Sequence, residues 1–164
     1  MASANMPTTT VTPDQDAILA EVFIAAPSER VFAALTDPHQ MLQWWGQKGM
    51  YRCTQFHTDV RPGGEWRCEG VNDNGQPFRL GGEYLQVDPP ALLVYTWVAS
   101  WTGDLKTTVR WELEPASGGT QVRMRHSGFA VRPEAVHEHA HGWQLVLGWM
   151  QAFVETGATV DTRG

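Results

Sequence analysis

Residues 135–155 read AVHEHAHGWQLVLGWMQAFVE, a stretch in which an apolar helix pattern overlaps the zinc-protease motif H-E-x-x-H. In that motif two histidines one helical turn apart, here His137 and His141, share a metal ion. At about 100° of rotation per residue, five apolar side chains fall within about 60° of Trp143. They are Val136, Ala140, Leu147, Met150 and Val154. This stripe predicts a long helix with one face covered by a sheet.

The two histidines of the motif fall outside that stripe, at about 120° and about 160° from its centre. A zinc protease needs a third ligand, but Leu147 stands where the extended motif has a histidine. Glu155 is the one carboxylate left further along the helix, about 21 Å from His141. The sequence therefore predicts a packing helix and no metal site. His139 lies about 40° from the stripe centre, and we expect a semi-buried histidine with a partner inside the chain.

The rest of the chain contains seven strand-like runs and two short helical segments. Residues 18–26 are rich in β-branched and aromatic side chains, and residues 28–46 hold two helical patterns separated by Pro38. From Met50 onward the apolar period is two, which gives six further runs separated by turn residues. Short connections predict an antiparallel sheet. The predicted fold class is α+β, with a curved seven-stranded antiparallel sheet around a long C-terminal helix and two short helices after the first strand.

Composition and charge exclude several classes of function. The 164 residues carry a formal net charge of −6 and 12 Lys and Arg, which argues against a nucleic-acid partner. No apolar run of about 20 residues is present, so no membrane span is predicted. The N-terminus lacks the features of a signal peptide, and we expect a cytoplasmic location. We expect residues 1–15 to be a flexible tail, residues 16–157 to form one domain, and residues 158–164 to be a C-terminal tail.

A tight hairpin is predicted at residues 61–64, because Arg-Pro-Gly-Gly is typical of turns. This register places His57 opposite Cys68, with Asp59 on the same inner face of the sheet. Cys53 then lies about 13 Å from the position that faces Cys68. At that distance a disulfide is excluded.

Large aromatic side chains are concentrated in the strands and the last helix, and eight tryptophans in one small domain are hard to pack without gaps. We predict a cavity between sheet and helix that suits a flat, mostly apolar small molecule. For any single ring, the alternative is that it simply fills the core. The predicted ligand-binding residues are Trp45, His57, Trp66, Tyr95, Trp97, Trp111, Met124, His126, Trp143, Leu147 and Met150.

Five segments together resemble a known family. They are IAAPSERVFAALTDPHQMLQWWG (24–46), DVRPGGEWRCE (59–69), GGEYLQVDPPALLVYTW (81–97), TTVRWELEPASGGTQVRMRHSGF (107–129) and HGWQLVLGWMQAFVE (141–155). In order and spacing they are similar to the START-like (SRPBCC) superfamily, in the branch named for homologues of the activator of the heat-shock protein 90 ATPase. The resemblance covers about residues 17–156. It implies a helix-grip fold whose groove binds lipids, sterols, polyketides or other hydrophobic molecules.

Three classes of function stay open at this point. The first is a protein that binds a small hydrophobic or aromatic ligand, lipid-like or polyketide-like, without a cofactor. The second is a cyclase or hydrolase, which needs titratable groups in the pocket. Its candidates are His57, Asp59 and His126, and no nucleophile with an adjacent base and a third orienting group is evident. We favour the first class over the enzyme.

The third class is a co-chaperone-like interaction module. Its signature would be exposed apolar side chains, because such patches rarely stay bare. The side chains expected to form them are Trp101, Leu105, Leu145 and Trp149. A patch on the outer side of the last helix also leaves a homodimer open.

Overall fold

The computed structural model describes residues 6–163, which form nine strands and three α-helices. The strands are β1 (Thr8–Val11), β2 (Ala17–Ile24), β3 (Gly46–Gln47), β4 (Tyr51–Thr58), β5 (Glu65–Asn72), β6 (Pro77–Asp88), β7 (Leu92–Ala99), β8 (Lys106–Ala116) and β9 (Gly119–Ser127). The helices are α1 (Ser28–Thr36), α2 (Pro38–Trp44) and α3 (Val136–Thr156). Single 3-10 turns lie at Ser100–Thr102, Phe129–Val131 and Pro133–Ala135.

The strands form one antiparallel sheet in the order β1-β2-β9-β8-β7-β6-β5-β4-β3. Strands β3 to β9 follow one another as a meander, and β2 joins them by pairing with β9. The α+β class, with a single antiparallel sheet and a C-terminal helix, is confirmed, but the expected count of seven strands is wrong. The two additional strands are the edge strands β1 and β3, of 4 and 2 residues. Runs this short do not show a recognisable alternation of apolar and polar residues.

Within the described residues, parts of both predicted tails pack against the body of the protein. β1 pairs with β2 along its whole length, and the Gln144 side chain of α3 donates to the Pro7 carbonyl oxygen at 2.7 Å. The expectation of a flexible tail over residues 1–15 is therefore wrong for β1, while residues 1–5 lie outside the described part. At the other end Val160 is buried, and its amide donates to the Gln43 carbonyl oxygen at 2.8 Å.

The core lies between α3 and one face of the sheet. Alternation in β8 and β9 directs one face of each strand into it, and the six side chains on these faces are buried: Val109, Trp111, Leu113, Val122, Met124 and His126. The predicted stripe of α3 faces the same core, with Leu147 and Met150 fully buried. No helix within residues 6–163 has both the length and the apolar character needed to cross a membrane.

The hairpin between β4 and β5 differs from the predicted one by a single residue. Its register pairs Phe56, and not His57, with Cys68. The reason is that Asp59 belongs to the turn, where its carbonyl oxygen accepts the Arg61 amide at 2.9 Å. Side chains alternate between the two faces of a strand, so a slip of one residue exchanges the faces. His57 is exposed, and the prediction that it faces inward is wrong.

The separation predicted for the two cysteines is also wrong. A β-bulge between Cys53 and Gln55 shifts the register of β4 and brings Cys53 onto the inner face. The Sγ atoms of Cys53 and Cys68 lie 3.5 Å apart, so their geometry does not exclude a disulfide, and both are free thiols here. The contact with Cys53, followed by burial, raises the pKa of the Cys68 thiol.

Candidate functional site

A cavity of about 500 Å³ lies between the first half of α3 and strands β4 to β7. Glu138, at the start of α3, is the one carboxylate in its wall, and no Lys or Arg of the described chain lines it. The complete wall consists of Trp45, Tyr51, Asn72, Gln76, Pro77, Phe78, Leu80, Trp97, Ser100, Trp101, Glu138, His139, Gly142, Trp143 and Val146.

Three tryptophans from three different elements form the inner wall. Trp45 follows α2, Trp97 lies in β7, and Trp143 lies in α3. The ring centroids of Trp97 and Trp143 are 5.3 Å apart, and those of Trp45 and Trp143 are 6.0 Å apart. Rings at these distances are in contact. Planar, rigid side chains fill space less completely than branched ones, and Gly142 beside them contributes no side chain.

The mouth of the cavity is bordered by Trp101, whose side chain is half exposed. It stands on the 3-10 turn Ser100–Thr102, with 48% of its surface exposed. Its ring stacks on His139, with centroids 6.0 Å apart and planes at 27°, and meets the edge of Phe78 at 6.0 Å. The Arg132 guanidinium holds the turn by donating to the Thr102 carbonyl oxygen. The outer rim of the cavity is therefore also aromatic.

His126 is fully buried, and both of its ring nitrogens are bonded inside the core. The Trp143 indole N–H donates to Nδ1 at 2.9 Å, so this nitrogen carries no proton. Nε2 is then the protonated nitrogen, and it donates to Thr107 Oγ1 at 2.6 Å. The Thr107 hydroxyl donates in turn to the Trp97 carbonyl oxygen at 3.3 Å. Burial, with a smaller effect of His139, holds the pKa of His126 well below its ordinary value.

His139 lies in the cavity wall and uses only one of its ring nitrogens. Nδ1 is 2.9 Å from the Ala135 carbonyl oxygen one turn back along the helix. A carbonyl oxygen only accepts, so Nδ1 carries the proton and Nε2 of the neutral ring has a free lone pair. Burial lowers the pKa of His139, against smaller opposing effects of the Ala135 carbonyl and Glu138. The prediction of a semi-buried histidine with an internal partner is confirmed.

Trp97 carries an unpartnered hydrogen-bond donor. Six of the eight tryptophans donate their indole N–H to an oxygen or nitrogen of the protein. The remaining two are Trp101, which is half exposed, and Trp97, of whose surface only 6% is exposed. The Nε1 atom of Trp97 has no hydrogen-bond partner in the described chain. A buried N–H without an acceptor costs about 1–3 kcal/mol. Behind the cavity wall, Trp97 therefore carries a buried donor for which residues 6–163 supply no acceptor.

The predicted ligand-binding residues divide into three groups. Those that line the cavity are Trp45, Trp97 and Trp143. Those buried in the core around it, without reaching its wall, are Trp66, Tyr95, Trp111, Met124, His126, Leu147 and Met150. His57 lies outside, on the opposite face of the sheet from the cavity.

The three predicted catalytic side chains are not brought together. His57 is exposed, and the Asp59 carboxylate accepts hydrogen bonds from the Arg61 guanidinium at 3.0 and 3.1 Å. His126 has both ring nitrogens occupied. Four residues that line the cavity were not among the predicted site residues: Tyr51, Phe78, Trp101 and His139. The position of His139 near the edge of the α3 stripe was a signal that could have identified it.

The zinc-protease motif does not form a cluster on α3. His137 and His141 are exposed, whereas His139 between them is buried. Within residues 6–163 no group of three or more His, Cys, Asp or Glu side chains is placed to hold a metal ion.

The apolar patch expected for an interaction module is largely covered by the chain itself. Trp149 is buried, donates to Gln47 Oε1 at 3.3 Å, and lies under the Arg163 guanidinium at 5.2 Å. Leu105 is buried and Leu145 is half-buried, so the expected exposure is wrong for Trp149 and Leu105. Of the four side chains, Trp101 is the exposed one.

An antiparallel sheet with an aromatic cavity beneath a C-terminal helix defines a START-like protein. The family model described as "Activator of Hsp90 ATPase homolog 1-like protein" matches residues 25–155. The chain therefore belongs to this family, and the resemblance seen in the sequence is confirmed. No curated protein matches the chain.

Several solved structures share the fold. Protein CV1439 from Chromobacterium violaceum is 29% identical, with a TM-score of 0.73 over 85% of this chain and 97% of its own. A protein from Rhodobacter sphaeroides is 21% identical, with a TM-score of 0.79 over 92% and 98%. DynU16, described as a putative protein in the dynemicin biosynthetic locus, is 23% identical, with a TM-score of 0.71 over 88% of this chain and 49% of its own. At these identities the last two show the fold alone.

Proposed function

We propose that the protein binds a small, flat, mostly apolar aromatic molecule in the cavity between the sheet and α3. The observation that carries the proposal is the inner wall of three contacting tryptophan rings, Trp45, Trp97 and Trp143, in a cavity of about 500 Å³. In this proposal the sheet and α3 hold the ligand between them, in the helix-grip manner implied by the family resemblance.

The size and polarity of the cavity support this class of ligand. A volume of about 500 Å³ is within the range of small-molecule sites. The wall has no Lys or Arg to neutralise an anion, and Glu138 would repel one. Aromatic walls favour a ligand that can stack or present an edge to them. A neutral, polyketide-like or other ring-containing molecule meets these conditions better than a fatty acid does.

We propose binding, and not turnover, as the primary activity. A general base must reach the reacting atom with a free lone pair. His126 has none, and His57 is outside the cavity. His139 Nε2 has a lone pair in the wall, but its Nδ1 is bonded to the Ala135 carbonyl oxygen and not to a carboxylate that would orient it as a base. DynU16 is described as a putative protein in a biosynthetic locus, which is compatible with a ligand-binding role in biosynthesis here. The proposal keeps the cytoplasmic location, and sedimentation of the purified protein tests the homodimer alternative.

The experiment uses 1-aminoanthracene, a flat neutral dye whose fluorescence rises in apolar surroundings. Gly142 lines the cavity, and a Cβ added to it meets no atom within 4 Å. Gly142→Leu should therefore fold and fill the cavity. Gly148→Ala is the matched control, because it lies in the same helix outside the wall and its Cβ makes only an ordinary contact, 3.9 Å from Pro7 Cγ.

We expect saturable binding to the wild type and to Gly148→Ala, and at least tenfold weaker binding to folded Gly142→Leu. Circular dichroism establishes that the variants are folded. Equal binding by all three proteins would place the dye elsewhere and refute the proposed site. Absence of saturable binding to the wild type would refute a cavity that accepts flat aromatic molecules.

A further inference from the structure

We infer that the ligand is a neutral hydroxyaryl compound, whose phenolic O–H donates to His139 Nε2. This inference rests on the proposed function, because it specifies the chemistry of the molecule in that same cavity. Its basis is an inventory of the hydrogen-bonding atoms on the buried side chains of the wall.

Four buried side chains of the wall carry hydrogen-bonding atoms. Trp45 donates its N–H to the Tyr51 hydroxyl at 3.1 Å, and Trp143 donates to His126. Both of these donors are thus satisfied within the protein. Trp97 Nε1 has no partner in the described chain, but it has almost no accessible surface through which a ligand could reach it. His139 Nε2 is therefore the acceptor that these four side chains offer a ligand.

This acceptor lies among aromatic rings. The ring centroid of His139 is 6.2 Å from that of Trp97 and 6.0 Å from that of Trp101. A ligand that lies against these rings satisfies His139 Nε2 only if it presents a donor on its edge. A hydroxyl group supplies that donor, whereas a hydrocarbon, an ether or a ketone does not.

The charge of the wall selects the neutral form of such a ligand. A phenolate has no proton for His139 Nε2, and the wall contains no Lys or Arg to stabilise it. Glu138 adds a carboxylate on the same side as His139. A carboxylate ligand is disfavoured for the same reasons. The site thus differs from a nonspecific apolar pocket because it requires a hydroxyl group on the ligand.

The test compares 2-naphthol with 2-methoxynaphthalene by isothermal titration calorimetry on the full-length protein. The two probes have the same ring system, but only the naphthol can donate a proton to His139. We expect the naphthol to bind about tenfold or more tightly, which is the usual effect of leaving a buried acceptor unpaired. In His139→Phe, which keeps a ring against Trp101, the two probes should bind within about twofold of each other. His141→Ala, an exposed histidine of the same helix, should keep the wild-type ratio.

The outcomes separate the inference from the proposed function. If both probes bind the wild type equally, the hydroxyl requirement is refuted while the apolar site stands. If neither binds although 1-aminoanthracene does, the inference is refuted too. If 1-aminoanthracene does not bind either, the proposed function itself fails. A preference for naphthol that persists in His139→Phe removes His139 from the inference. Should that variant not fold, 15N NMR of the wild type with labelled histidine replaces it, because bound naphthol must shift the His139 Nε2 signal.

Discussion

The two halves of α3 rest on the same sheet, yet one half is closely packed and the other borders a cavity. Residues 147–156 form the closed half, in which Leu147 and Met150 are fully buried. Two hydrogen bonds connect this half to β2 and α1. The Gln151 side chain donates to the Phe23 carbonyl oxygen of β2 at 2.9 Å. The Arg30 guanidinium of α1 donates to the Val154 carbonyl oxygen at 3.2 Å. Residues 136–146 form the open half, which contributes five residues to the cavity wall.

The difference follows the side chains that face each half, since the helix and the sheet are continuous through both halves. The closed half buries Leu147, Met150 and Val154 together with the rings of Trp149 and Phe153. The open half meets Trp45 and Trp97, which are rigid rings, and places Gly142 opposite them. The comparison teaches that the cavity depends on a few residues, so that it can be filled or reshaped without changing the topology.

Two histidines show the same difference at the level of atoms. The rings of His126 and His139 are 5.6 Å apart, and burial lowers the pKa of both. His126 has two partners and belongs to the packed core, whereas His139 has one and belongs to the cavity wall. We therefore expect changes at His126 to affect stability and changes at His139 to affect ligand choice.

The largest effect is expected for His126→Leu. The substitution leaves the Trp143 indole N–H and the Thr107 hydroxyl without their partner, at about 1–3 kcal/mol for each buried group. We expect the free energy of unfolding, measured in urea, to fall accordingly. His57→Leu is the matched control, because His57 is exposed, and it should change stability by about 0.5 kcal/mol or less. Equal losses in the two variants would show that the His126 network does not hold the core.

Leu147→Ala is expected to cost about 2–5 kcal/mol of unfolding free energy, because it removes a fully buried side chain from the closed half. The folded variant should bind 1-aminoanthracene with the wild-type affinity, since Leu147 does not line the cavity. Urea denaturation and dye titration measure the two quantities. A large loss of affinity in the folded variant would restore Leu147 to the ligand-binding residues predicted from the sequence.

Long periodic segments made much of the fold predictable. The stripe of α3 and the alternation in β8 and β9 each extend over many residues, so an error of one residue would have been visible in the pattern. Trp143 lies on that stripe and Trp97 lies in another alternating run, and both were predicted to face the cavity, as was Trp45 after the second short helix. The buried core around the cavity could therefore be derived from the sequence with little error.

The remaining features of the site depend on local backbone geometry, which does not appear in the periodic pattern of apolar residues. His57 points outward because Asp59 belongs to the turn and not to the strand. The contact between Cys53 and Cys68 depends on one β-bulge in β4. Several residues of the cavity wall come from short connections, such as Trp101 on its 3-10 turn. Contacts of this kind are set by tertiary packing, which is why the sequence indicated the cavity but not its mouth.

Stability is expected to decrease as the pH falls from about 7 to about 5, because two histidines are buried in the neutral form. In the unfolded chain a histidine binds a proton near pH 6.5, while burial lowers the folded-state pKa of His126 and His139. The unfolded state therefore takes up more protons as the pH falls, with a slope of at most about 1.4 kcal/mol per pH unit for each histidine. Urea titrations at several pH values measure it. His126→Leu should show a shallower slope than the wild type, and an unchanged slope would assign the dependence to other groups.

The smallest effect is expected for Trp101→Ala, which alters the open half at its rim. The ring is half exposed and contacts His139 and Phe78, so its removal should change the unfolding free energy little. A ligand in the cavity loses one aromatic wall, worth about 0.5–1.5 kcal/mol, or about two- to twelvefold in the Kd for 1-aminoanthracene. Leu85→Ala is the control, because Leu85 is an apolar side chain exposed to 44% and lies outside the cavity wall. If both variants bind the dye as the wild type does, the ligand does not reach the rim, and the site is confined to the inner wall of Trp45, Trp97 and Trp143. A loss confined to Trp101→Ala would instead extend the difference between the two halves of α3 to the surface of the protein.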